Sequence, residues 1–338
     1  MKIEWLYVLA IVVAALTSAF ATPRVRRMAR QIGVLAAGGD RDMHTEPKPR
    51  IGGIAVYLGF AFALFVAFGV GTGTRAYFHR AQDLHALLGL LFGSTLIMLV
   101  GVWDDVMGMR PRAKFLAQIV VALVSMGYGF VIDGFDMPFD LGGITYVNLP
   151  FYVAYPVTLV FYLGMMNAIN FLDGLDGLLS GVTAISGLFL AAIALAHGHT
   201  LAALALFALV GGALGFLPYN FAPATIFLGD TGSLFIGYVF ATVSIIVTAK
   251  IAITVSLLVP LVALALPVVD TAVAIFRRAR AGKAITEADR GHFHHILVFR
   301  FGLNVKQAVL LIYAVSFALG AAAYFLSGGS HVKIPGAI

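Results

Sequence analysis

The chain has 338 residues, 61% of them hydrophobic and 11% charged, with a mean hydropathy of +0.97, whereas a water-soluble globular domain carries about 25% charged residues. The net charge of +6 does not mark a nucleic-acid surface, because the basic residues flank apolar runs and form no single patch. With no cysteine in the chain, disulfides and thiolate chemistry are both excluded.

Apolar runs fall at 5–22, 51–70, 84–103, 115–132, 151–168, 178–196, 200–217, 231–248, 251–276 and 307–326. Each is about 17 to 26 residues long, enough to cross a hydrocarbon core of about 30 Å at 1.5 Å per residue. The predicted fold class is therefore all-α: one polytopic membrane helix bundle over residues 1–338, with about ten transmembrane helices. Lys250 alone separates the eighth run from the ninth.

The first run has the length of a signal peptide, and Ser18-Ala19-Phe20-Ala21 offers small residues. The dense charge of Arg24, Arg26, Arg27 and Arg30 follows the run, however, the reverse of a signal peptide's order, and a retained helix with its N terminus outside is the better reading. With that start, 17 of the 22 basic residues fall on inner segments, chiefly 23–50, 104–114 and 277–306. The polar clusters near 44–50, 104–114, 167–176, 220–230 and 287–295 fall on the same side, which implies one cytoplasmic site, flanked by long inner loops near 23–50 and 277–306.

In chain order, the first cluster is His44-Thr45-Glu46-Pro47-Lys48-Pro49-Arg50-Ile51-Gly52-Gly53. Two prolines stiffen the approach to the second run and a basic residue could hold an anionic headgroup, or serve only as topology charge. Next come Asp104 and Asp105. Adjacent carboxylates repel most where the dielectric is low, a cost that Mg²⁺ reverses; Arg110 and Arg112 could also neutralise them in a short inner loop.

Asn167, Asn170, Asp173 and Asp176 recur every three residues at the end of the fifth run, along one slowly rotating helical face. A ligand or metal site and an interhelical polar staple both fit this pattern. The stretch from Pro218 to Ser233 contains Asn220, Phe227 and Asp230; Asp230 suits a helix cap and a divalent-cation ligand equally. Asp270 precedes Arg277, Arg278 and Arg280 and is read as an ion-pair partner. The last cluster, Asp289-Arg290-Gly291-His292-Phe293-His294-His295, suits phosphate oxygens. Its spacing matches no common closed zinc pattern.

These motifs together resemble the polyprenyl-phosphate N-acetylhexosamine-1-phosphate transferases. Asp104-Asp105, Asn167 through Gly177, Asn220 through Ser233, Pro267 through Asp270 and Arg290 through His295 occur in that family's order, across about residues 5 to 326. The resemblance implies transfer of a sugar 1-phosphate from a UDP-N-acetyl sugar to polyprenyl phosphate, with UMP leaving and Mg²⁺, or Mn²⁺ in its place, as cofactor. It implies that Asp104 acts as base or acceptor positioner with Asp105 beside it, that Asp230 binds the metal, and that Asp173 belongs to the same acidic site. Asn170, Asp176 and Phe227 fall in the nucleotide region, and His294 and His295 near the diphosphate. Asn167, Asn220, Arg290, His292, His44 and Arg50 complete the expected substrate contacts.

Pro49-Arg50-Ile51-Gly52-Gly53 resembles the UDP-GlcNAc branch of that family more than the peptidoglycan translocase, which usually carries Thr-Pro-Thr-Met-Gly-Gly there. A phenylalanine between the histidines points the same way. The implied reaction is formation of undecaprenyl diphospho-GlcNAc at the start of a cell-envelope glycan such as lipopolysaccharide or teichoic acid; a homodimer is left open. A transporter is the alternative of a different class, favoured by ten spans and membrane carboxylates but without a convincing inverted repeat.

Overall fold

The first helix, α1 (Glu4–Gln31), already departs from the expected span. It continues past Thr22 and through Pro23, so the arginine cluster expected in a loop is helical. The extension has an apolar side: Val25 and Ala29 are buried, while Arg24 and Arg27 turn back to donate to the Phe20 and Pro23 carbonyls. In the computed structural model, the described residues are 4–36, 47–73, 81–141, 144–248 and 301–327.

Eight further helices follow among these residues: α2 (Gly53–Gly73), α3 (Ala81–Met107), α4 (Pro111–Gly127), α5 (Phe151–Leu172), α6 (Leu178–Ala196), α7 (Thr200–Asn220), α8 (Gly229–Thr248) and α9 (Val305–Leu326). All but α4 are long and apolar enough to cross a membrane, eight in total with α1. The chain is thus an integral membrane helix bundle. The expected span at 251–276 lies outside the described residues.

Two differences from the expected spans have local causes. The fourth was read as 115–132, but α4 begins at Pro111, whose ring suits the first helical position and whose missing N–H costs nothing there. It then ends at Gly127, a helix of 17 residues. Beyond it, β3 (Gly134–Leu141) and β4 (Ile144–Asn148) pair antiparallel. A second ribbon, β1 (Leu35–Ala36) with β2 (Lys48–Pro49), ties the end of α1 to the approach of α2. Both ribbons add strands to a fold read as wholly helical.

Helix α8 forms the axis of the bundle and is almost wholly buried, whereas α9 is largely exposed. It packs against α2, α3 and α5. On the other side, α7 meets α1 through small residues: a Cβ at Gly211 or Gly215 would lie 2.3 or 2.1 Å from the carbonyl oxygens of Ile11 and Ala15. Such contacts substitute for a hydrophobic drive that lipid cannot supply. Among the described residues, the C-terminal ends of α3, α5 and α7 and the N-terminal ends of α2, α4, α6 and α8 meet at one end of the bundle.

Candidate active site

Asp104 and Asp105 lie in the last turn of α3, not in a loop after it. Successive residues on a helix point about 100° apart, and the two carboxylates have different partners. Asp105 is buried, and both its oxygens are taken. Oδ1 accepts from Arg50 Nε at 3.1 Å and from the Asp230 backbone N–H at 3.1 Å. Oδ2 accepts from the Thr231 N–H at 2.9 Å and its hydroxyl at 2.6 Å. A residue of α3 thus caps the N terminus of α8, satisfying amides the helix leaves unpaired.

This cap requires Gly229. Its φ of +75° is left-handed, and a Cβ there would sit 1.8 Å from the Arg50 carbonyl oxygen and 2.5 Å from Asp105 Oδ2. The segment before α2 docks alongside through backbone bonds: Phe227 N–H to the Pro49 oxygen at 2.8 Å, Gly52 N–H to Phe227 at 2.9 Å and Gly53 N–H to Leu228 at 2.8 Å. The Pro49-Arg50-Ile51-Gly52-Gly53 motif is therefore the brace of the loop leading into Asp230.

Asp104 faces the other way. Its Oδ1 accepts the Met109 N–H at 2.7 Å, and its Oδ2 lies 2.9 Å from Lys114 Nζ. The same ammonium lies 3.0 Å from Asp230 Oδ2. The other Asp230 oxygen accepts from Asn170 Nδ2, which also donates to Ser233 Oγ at 2.7 Å. One lysine from α4 therefore joins carboxylates from α3 and α8, and an α5 asparagine holds one of them. The Lys114 and Asp230 side chains keep 18% and 21% exposure, enough for a substrate phosphate to reach them.

Asp173, the residue that ends α5, lies half-buried beside this group. Burial pushes its carboxyl up to about 8, with repulsion from Asp230 and Asp105 adding to the rise and a bond from the Gly229 N–H opposing it. Asn167, one turn back along α5, is turned to α4: its Nδ2 donates to Gln118 Oε1 at 2.7 Å and to the Leu163 carbonyl at 2.8 Å. Of the two readings its spacing left open, the interhelical staple describes Asn167; Asn170 also bonds across helices, but to Asp230 and Ser233 beside the shared lysine.

A second group lies on the loop side. Asp176 Oδ2 accepts the Ala224 N–H at 2.8 Å and lies 3.9 Å from Lys48 Nζ, and that ammonium sits 5.5 Å from the centre of the Phe227 ring. Asn220 was expected to contact substrate, but it is buried with its amide used internally. It accepts from Ser180 Oγ at 2.8 Å and donates to the Ile226 carbonyl at 3.1 Å, which shapes the loop between α7 and α8. His44, Arg290, His292, His294, His295 and Asp270 lie outside the described residues.

Lys114, Lys48 and Gln118 carry roles that the sequence reading assigned to none of them. For Lys114 a signal existed: Arg112 and Lys114 stand at the start of α4, where the helix dipole disfavours positive charge. A cation placed against the dipole implies a stronger anionic partner, here two carboxylates.

The donor set suits a hard divalent cation. Among the described residues no three acidic or imidazole side chains form a ready-made cage, but Mg²⁺ is commonly held by one or two carboxylates together with substrate phosphates. Asp230 and Asp104, which share one cation, meet that requirement; Asp105, with every oxygen occupied by protein donors, does not.

Residues 87–248 match the family model for glycosyl transferase family 4. The chain is 34% identical to the probable undecaprenyl-phosphate N-acetylglucosaminyl 1-phosphate transferase of Bacillus subtilis (strain 168), over 96% of this chain and 86% of the relative. It is 33% identical to the decaprenyl-phosphate N-acetylglucosaminephosphotransferase of Mycolicibacterium smegmatis, over 89% and 77% of the two chains. It is also 31% identical to the phospho-N-acetylmuramoyl-pentapeptide-transferase of Staphylococcus carnosus, over 73% and 78%. With carboxylates from two helices joined at the end of a membrane bundle, and with relatives that match along nearly its whole length, the chain belongs to the polyprenyl-phosphate N-acetylhexosamine-1-phosphate transferases of glycosyl transferase family 4.

Proposed function

We propose that this protein transfers GlcNAc 1-phosphate from UDP-GlcNAc to undecaprenyl phosphate in the bacterial cytoplasmic membrane, with its site facing the cytoplasm. The observation that carries the reading is the single Lys114 ammonium held between Asp104 and Asp230. The GlcNAc transfer for which the Bacillus and Mycolicibacterium relatives are named supports GlcNAc as the sugar, and the basic residues of 24–30 and 110–114 on the site side support the orientation.

The acceptor is a phosphate monoester whose oxygen is already a nucleophile at neutral pH. It attacks the donor phosphorus that bears the sugar; a new P–O bond forms, the bond to the bridging oxygen breaks, and UMP leaves with that electron pair. The barrier is mainly repulsion between two anions, so positioning and positive charge dominate. Lys114 supplies one positive charge where the phosphates meet. Asn170 fixes the direction in which Asp230 presents its second oxygen, and Asp104 orients Lys114. The amides at the start of α8 are closed to phosphate because Asp105 occupies them. Mg²⁺, or Mn²⁺ in its place, held by Asp230 with Asp104 or Asp173, supplies the remaining neutralisation when bound.

Purified protein incubated with UDP-GlcNAc, undecaprenyl phosphate and Mg²⁺ is expected to release UMP and to stop when the cation is chelated. Release of UDP would instead mark a glycosyltransferase acting at the sugar carbon. Because a pentapeptide transferase is also among the relatives, the assay includes UDP-MurNAc-pentapeptide, UDP-GalNAc and a 6-deoxy UDP-N-acetyl sugar. Preference for the pentapeptide donor would change the branch and leave the chemistry intact.

A further inference from the structure

Helix α9, an anonymous span in the sequence, reaches the loop that carries Asp176. It lies parallel to α6: Tyr313 covers Gly181, where a Cβ would fall 2.0 Å from the ring; Phe317 meets Phe189 edge-on at 5.2 Å; and Ser327 lies 3.2 Å from His197. α9 therefore begins at the site end of the bundle. Its start is fixed there by a capping box, in which Asn304 and Gln307 bond each other's backbone N–H.

From this helix the Tyr313 hydroxyl donates to the Gly177 carbonyl at 2.5 Å. The same oxygen accepts the Gly181 N–H at 3.0 Å, the opening bond of α6, so both its lone pairs are used. On its other side Gly177 is closed in by Phe221: a Cβ would meet that ring at 2.9 Å, and the φ of +80° is itself left-handed. The residue immediately before it is Asp176, bonded to the Ala224 N–H and close to Lys48. We infer that Tyr313 is a positioning residue for the nucleotide part of the donor, acting through Gly177 to hold Asp176 and, with it, the Lys48–Phe227 face. The inference rests on the donor class proposed above, whose uracil would meet the half-buried Phe227 ring and the Lys48 ammonium beside it.

The two halves of the site make the role separable. Tyr313 touches the loop half and none of Asp104, Lys114, Asn170 or Asp230. Its hydroxyl can be removed without undoing α6, because the Gly181 bond to Gly177 remains. Tyr313→Phe is therefore expected to raise KM for UDP-GlcNAc about five- to tenfold and the Kd for UMP by the same factor, with kcat within about twofold. Half-activation by Mg²⁺ should not move. Phe317→Leu, which loosens α9 against α6 one turn further along, is the structural control: it should lower the thermal midpoint in detergent and leave KM unchanged.

UMP binding by calorimetry and steady-state turnover are measured on all three purified proteins. A wild type that binds UMP alongside a Tyr313→Phe variant with unchanged UMP affinity would overturn the inference and leave the proposed reaction standing. So would a loss of kcat in Tyr313→Phe that tracks its thermal midpoint, since that is purely structural support. A wild type that binds no UMP would remove the donor class, and the inference with it.

Discussion

Asp104 and Asp105 are neighbours on one helix turn, yet they behave as parts of two different machines. Asp105 is closed: four donors from two segments converge on it, and it cannot take a ligand without unfastening the start of α8. Asp104 is open: its outward oxygen shares one lysine with Asp230, and any cation or phosphate entering that space must compete with Lys114 for the same partners. Adjacent carboxylates in a membrane protein thus need not form a joint metal site. One can hold the scaffold in place while the other faces the chemistry.

The largest expected effect falls on the open side. Asp230→Asn keeps the bond from Asn170 but removes the charge, and turnover should fall by at least about two orders of magnitude through lost electrostatic stabilisation. Membrane abundance should stay near wild type. Near-normal UMP release from matched folded protein would remove Asp230 from the metal role.

Asp105→Ala is expected to reverse that pattern. The Asp230 and Thr231 amides and the Arg50 guanidinium lose their acceptor, a loss of about 2–3 kcal/mol for charge-assisted bonds. The thermal midpoint in detergent should drop clearly, while activity per folded molecule falls far less than in Asp230→Asn. If Asp105→Ala instead keeps its midpoint and loses its turnover, the division between a closed and an open carboxylate is wrong.

Lys114→Met probes the shared cation. Turnover should fall about tenfold to a hundredfold, as for loss of one preorganised charge at a phosphate site. Mn²⁺ binding without donor, read by electron paramagnetic resonance, should become tighter, because Asp104 and Asp230 lose their internal competitor. Weaker Mn²⁺ binding would mean that Lys114 organises the carboxylates and does not compete for them.

The bundle itself is largely legible in the chain, because a run of about 18 or more apolar residues has few alternatives in a membrane. Helix ends are less legible: Pro111 starts α4 before its apolar run, and α1 continues through its arginines because Val25 and Ala29 keep one side buried. Asn170 and Asp173 can be found from spacing and Asp230 from its place at the start of an apolar run, since polar residues at helix ends are costly without partners. The closed role of Asp105 and the buried role of Asn220 depend on amides from segments more than a hundred residues away or on a loop shape, which no local pattern encodes. Lys114 was visible only as a charge set against a dipole.

Asp173 offers a smaller effect that reads through pH. With a folded value of about 8 against 3.8 for the free side chain, the native state keeps a proton that the unfolded chain has already lost. Stability should therefore decline as pH rises from about 4 to about 8, and level off above. Asp173→Asn should flatten that slope when thermal midpoints are compared at pH 5 and pH 8 in chelator. A wild-type slope of the opposite sign would show that Asp173 is ionised in the fold.

The smallest effect is expected at Lys48, on the loop side. Its ammonium stands 3.9 Å from Asp176 and 5.5 Å from the Phe227 ring centre, with 15% of its side chain exposed, so both contacts are partly screened. A partly exposed cation–π contact contributes about 0.5–1 kcal/mol, and an ion pair at such a distance adds little. Lys48→Met should accordingly raise KM for UDP-GlcNAc about two- to fivefold and leave kcat unchanged, because Asp176 and the Phe227 ring, which it meets, lie on the loop side. Lys48→Arg, which keeps the charge and stacks on an aromatic face, should recover most of the affinity. The measurement is UMP release across donor concentration at saturating acceptor. A kcat loss in Lys48→Met larger than that in Lys114→Met would place the phosphate chemistry on the loop side and invert the contrast between the two halves of the site.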